Sequence, residues 1–92
     1  MTPPLPKSGR SAPVARLDIT GEVCPLTFVR TKLLIERLAV GDIAEVRLKG
    51  HEPLENVPRS LLEHGHAVLA IEPESTPATV DTPHRLYVRK GG

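Results

Sequence analysis

Leu17-Asp18-Ile19-Thr20-Gly21-Glu22-Val23-Cys24-Pro25-Leu26-Thr27 changes its period halfway along. Ala15, Leu17 and Ile19 alternate with Arg16 and Asp18, the pattern of a half-buried strand. Thr20-Gly21-Glu22 turns the chain, and residues 25–38 then follow a helical spacing. Proline is favoured at the first helical position, where its missing N–H costs nothing. Pro25 therefore opens the helix, and Cys24 falls at its N-cap. On this helix Phe28, Thr31, Leu34, Ile35 and Leu38 project to one face, wide enough to cover a sheet.

Working outward, Gly41-Asp42 stops the helix, and residues 43–48 form a second strand with Glu45 and Arg47 on its wet side. Residues 50–53 read as a break. The spacing predicts a short second helix over about 58–64, with Pro58 at its first position and Gly65 as its C-cap. Residues 67–71 are a strand, 73–83 a polar, proline-rich loop, and 85–89 a last strand with Leu86 and Val88 inward. Charges fall on one face of three of the four strands, so helices cover only the other face. The expected fold is α/β, a two-layer β-α-β-α-β-β sandwich with a four-stranded mixed sheet and two helices on one face. The first strand-helix-strand unit should be a right-handed parallel crossover, and the last two strands should pair antiparallel.

The 92 residues suffice for one domain, read over 14–92. Residues 1–13 carry four prolines, one glycine and two serines, and read as a disordered arm. With no Trp, one Tyr and one Phe, the core must be aliphatic, and a base-stacking platform is not expected. A net charge of +1 supplies no general attraction to nucleic acid. A single cysteine excludes an internal disulfide and suits a reducing compartment. No apolar signal segment or membrane-length run is present. The chain is read as a cytoplasmic monomer that needs no cofactor or metal, and His51, His64, His66 and His84 as surface residues.

Cys24 is where chemistry is expected. First-turn N–H groups and the positive end of the helix dipole favour a thiolate at an N-cap. Gly21 permits a sharp turn that leaves the thiol uncovered, while the carboxylate of Glu22 opposes the pKa shift. The bland alternative is a buried structural cysteine, which would react slowly with alkylating reagents.

The motif Leu17-Asp18-x-x-Gly21-x-x-Cys24-Pro25 resembles the TusA/SirA/YedF family of small sulfur carriers. The resemblance runs on through Lys32, Gly41-Asp42, Pro53, Pro58 and the ending Tyr87-Val88-Arg89-Lys90-Gly91-Gly92. It implies the same fold. It also implies that Cys24 accepts sulfur from a cysteine desulfurase or another persulfide donor and passes it to a downstream acceptor. Destinations in the family include tRNA thiolation, molybdenum cofactor assembly and sulfur oxidation. The chain departs from the family's Cys-Pro-x-Pro motif at Thr27, which leaves partner identity and pathway open. Two other readings stand beside this one. The terminal Gly91-Gly92 resembles the thiocarboxylate-bearing end of ubiquitin-like sulfur carriers, although those begin with a β-hairpin. The fold is also compatible with a regulatory module in which Cys24 does nothing covalent. For a carrier, a second apolar stripe formed by Leu26, Val29 and Leu33, flanked by Arg30, Lys32 and Arg37, is the expected docking surface for partners.

Overall fold

The computed structural model describes residues 13–23 and 26–91. Its elements are β1 (Ala15–Asp18), α1 (Leu26–Glu36), β2 (Ile43–Leu48), α2 (His51–Glu63), β3 (Ala67–Pro73) and β4 (His84–Arg89). The four strands form one sheet in the order β1-β2-β4-β3. β1 runs parallel to β2, with Leu17 opposite Val46. β4 lies antiparallel to both β2 and β3, pairing Leu86 with Val46 on one side and with Ile71 on the other. The expected β-α-β-α-β-β order and mixed sheet are therefore present. The arm read over residues 1–13 lies outside the described residues except for Pro13.

Strand alternation decides which face is dry. Ala44, Val46, Leu48, Leu86 and Val88 are buried and make up the centre of the core with Ile19, Ile35, Val57 and Leu61. Each fully buried aliphatic side chain stabilises the fold by about 1.5–3 kcal/mol. The opposite face carries ion pairs. Arg47 reaches Asp18 (3.1 Å) and Glu74 (2.8 Å), Arg85 also reaches Glu74 (3.0 Å), and Arg16 pairs with Glu45 (3.3 Å).

α1 ends at Glu36 rather than at 38; it buries Thr27, Thr31 and Ile35, with Phe28, Leu34 and, just past its end, Leu38 packed at the margin of the core. The sheet-facing set expected from helical spacing is thus the observed one, with Thr27 added. Asp42 closes the turn that follows: its carboxylate accepts from the Ala39 N–H at 3.0 Å.

α2 departs from expectation. It starts at His51 rather than near Pro58, and both Pro53 and Pro58 lie inside it. Pro53 is the third helical residue, where the missing N–H has no intrahelical role. Pro58 is interior and removes a ladder bond, a defect that costs about 3 kcal/mol in an isolated helix. Packing offsets the defect, because Leu54, Val57 and Leu61 recur at helical spacing and all face the core. The C-terminus is as expected. Gly65 has φ +88°, the Gly65 N–H donates to Leu62 O (3.1 Å), and the His66 N–H donates to Leu61 O (3.0 Å). This paired arrangement satisfies the last carbonyls of a helix and favours glycine at its left-handed position.

Candidate functional site

The loop from β1 to α1 is braced on both sides of its cysteine. The Asp18 carboxylate accepts from the Thr20 N–H (2.9 Å) and hydroxyl (2.7 Å), closing the turn after β1. The Thr20 hydroxyl bond, then the Thr20 backbone bond and the Arg47 guanidinium, hold Asp18 below the ordinary carboxylate range. The Glu22 N–H donates to Ile19 O at 3.1 Å, and Ile19 itself is buried. Gly21 is exposed, with open space where a side chain would begin.

Cys24 and Pro25 lie outside the described residues, so the N-cap placement of the thiol is not among the observed features. The residues on either side are informative. Val23 and Leu26 are both exposed, and the Leu26 N–H donates to Val23 O at 2.8 Å. That bond occupies one donor of the first turn of α1. The Glu22 carboxylate, expected to oppose a thiolate, is paired with Arg30 Nη1 at 3.1 Å. The pair sets a positive charge against the Glu22 carboxylate and ties the loop to α1.

α1 presents two distinct flanks. Leu26, Val29 and Leu33 are exposed by 48%, 40% and 55%. Beside Leu33, a hollow of about 340 Å³ is bordered by Leu17, Leu34, Arg30 and Arg37. Lys32 belongs to the other flank. It pairs with Glu36 (2.6 Å) and faces a cavity beside α2 instead of the Leu33 hollow. Thr27, read as part of the thiol's surroundings, is only 1% exposed, so a docking partner does not touch its side chain.

The histidines divide similarly. His51 opens α2 and is exposed. The Nδ1–H of His64 donates to Ser60 O at 2.8 Å, and its ring lies 5.4 Å from that of Phe28. His66 Nδ1 accepts from the Gly91 N–H at 3.0 Å. Burial, reinforced by the nearby His64 and Lys90, holds His66 below the ordinary imidazole pKa. Sequence reasoning missed this grouping of His64, His66, Lys90 and Gly91. The available signal was the Gly65 cap, which sets the two histidines at the point where α2 hands over to β3. Among the described residues no group of three or more His, Cys, Asp or Glu side chains is arranged to hold a metal ion. Among the same residues no helix is long and apolar enough to cross a membrane.

Comparison with known proteins agrees with this fold. Residues 15–90 match the family model described as "Sulfurtransferase TusA". A relative in Archaeoglobus fulgidus, named "Putative sulfur carrier protein", is 51% identical over 57 residues, covering 61% of this chain and 64% of that protein. In that comparison the chain accounts for less than two thirds of its relative's length. The Escherichia coli protein named "Putative sulfur carrier protein YedF" is 37% identical over 60 residues, covering 65% of this chain and 78% of that protein. The fold is similar to the crystal structure of a SirA-like protein from Desulfitobacterium hafniense. That match has a TM-score of 0.60 and 18% identity, and it covers 84% of this chain and 99% of that one.

Proposed function

The chain belongs to the TusA sulfurtransferase family, and on that premise we propose that it carries sulfane sulfur as a persulfide on Cys24. The observation that carries this reading is the family match over 15–90, which spans the chain's only cysteine. In the proposed cycle the Cys24 thiolate attacks the outer sulfur of a donor persulfide, such as that of a cysteine desulfurase. The donor's S–S bond breaks, its thiolate leaves, and Cys24 becomes S–SH. An acceptor thiolate then attacks that outer sulfur and releases the Cys24 thiolate, with no net change in oxidation state across each exchange. The local electrostatics support the first step, because Arg30 neutralises the one carboxylate close to Cys24 in sequence.

Partners dock, in this reading, on Leu26, Val29 and Leu33, and acidic groups around a partner's reactive sulfur are steered by Arg30 and Arg37. The setting is the cytoplasm, where thiols stay reduced. The thiocarboxylate alternative is disfavoured by the strand-helix-strand opening and by the tie between Gly91 and His66, which holds Gly91 against the domain.

Intact-mass measurement after incubation with cysteine and a cysteine desulfurase tests the proposal. The expected result is a gain of one reductant-labile sulfur in the natural chain and none in Cys24→Ser, with the fold retained because serine suits an N-cap. Labile sulfur on the Cys24→Ser protein would refute the assignment.

A further inference from the structure

A cavity of about 280 Å³ lies between α1, α2 and the residues that follow β4. It is separate from the Leu33 hollow, and no step of the sulfur exchange uses it. Its floor is apolar: the Phe28 ring and the buried Leu61. Its walls carry cationic and N–H donors. Lys90 Nζ donates to Leu38 O (2.7 Å) and Glu36 O (3.3 Å), and Lys32 Nζ pairs with the Glu36 carboxylate at 2.6 Å. An ammonium has three donors, so Lys90 keeps one beyond these bonds and Lys32 keeps two. The Gly91 N–H occupies Nδ1 of His66, which leaves the ring proton of the neutral imidazole on Nε2. Lys32, Lys90, His64 and His66 line the cavity, and Glu36 is the one carboxylate among its described lining residues.

We propose that this cavity binds a small organic monocarboxylate, its carboxylate held by Lys32, Lys90 and His66 and its apolar body lying on Phe28 and Leu61. Charge selects an anion, because among the described lining residues two lysines stand against one carboxylate, Glu36. The apolar floor selects an organic acid over an inorganic anion, which would leave Phe28 and Leu61 wetted. Size limits the body, since the volume sits at the lower edge of the ~300–1,000 Å³ typical of ligand pockets.

The test is an amide chemical-shift titration of the full chain with sodium butyrate and sodium benzoate, alongside sodium chloride and sodium sulfate at matched ionic strength. Saturable shifts at His66, Gly91 and the Phe28–Lys32 turn are expected with the two organic acids. Lys32→Gln should weaken binding about tenfold through loss of a charge-assisted hydrogen bond. The same variant should leave the melting temperature nearly unchanged, because Lys32 is paired only at the surface. Shifts no larger than those with chloride, saturation by sulfate equal to that by butyrate, or unchanged binding in Lys32→Gln would each overturn the proposal. None of these outcomes bears on sulfur loading at Cys24.

Discussion

Gly91 is held at two points. Its N–H reaches His66, and its Cα lies so close to the Gly65 carbonyl that an added methyl would collide with backbone. Gly91→Ala should therefore detach the segment after β4, expose His66 and remove its hydrogen bond. The His66 pKa, held down mainly by burial, should then rise toward the ordinary imidazole value, as a proton-shift titration of the ring would record. The linkage has a definite sign. A base whose folded pKa is depressed stays neutral in the folded state while the unfolded chain takes up a proton. Stability from His66 is therefore complete above about pH 6.5 and declines as pH falls toward the lowered folded value. An unchanged His66 titration in Gly91→Ala would contradict this account. Cys24 was singled out from sequence because one residue type carries its chemistry wherever it lies. The His66–Gly91 contact was not legible, because the antiparallel pairing of β3 with β4 was expected but not its register, in which Ala67 lies opposite Arg89.

α1 shows how much of an element its spacing reveals. Its sheet-facing residues follow from helical period alone, and so does the exposure of Val29 and Leu33. The charged rim did not follow as simply: Lys32 lines the cavity beside α2, while Arg30 and Arg37 border the Leu33 hollow. Val29→Glu combined with Leu33→Glu should slow sulfur transfer from the cognate donor several-fold while leaving the melting temperature and the alkylation rate of Cys24 unchanged. Unfolding of the double variant would mean that the stripe supports the core. α2 was half legible. Reading residues 50–53 as a break and Pro58 as the first helical position hid the Leu54-Val57-Leu61 stripe, whose burial outweighs the defect at Pro58. Leu61→Ala should accordingly cost about 2–5 kcal/mol in denaturant unfolding, the range for deleting a buried leucine side chain. A loss below 1 kcal/mol would remove α2 from the core.

Across the whole molecule the two faces of the sheet respond to different conditions. The face against the helices depends on apolar burial, and the other on Arg47 as a hub between Asp18 and Glu74. Hydrogen bonds from Arg47, then from Arg85, hold Glu74 below the ordinary carboxylate range. Folded carboxylates with depressed pKa values contribute stability above their unfolded values, near pH 4, and lose it as pH falls through the folded ones. Thermal melts between pH 7 and pH 2 should show this loss, and Arg47→Leu should shrink it; equal acid sensitivity in both proteins would show that the hub is not its source. The two-layer architecture was legible because period-two alternation sorts charge from hydrocarbon strand by strand. The strand order was not fully so, since pairing partners depend on which edges meet in space. In the observed order β4, made last of these four strands, lies inside the sheet between β2 and β3. A ribosome delivers β1, α1 and β2 first, and they can assemble as a parallel unit. β3 then emerges with no strand to pair with. Until His84–Arg89 is synthesised and clears the exit tunnel, the edges of β2 and β3 that β4 will cover stay unpaired. Final folding waits for that one insertion, which joins both halves of the sheet at once.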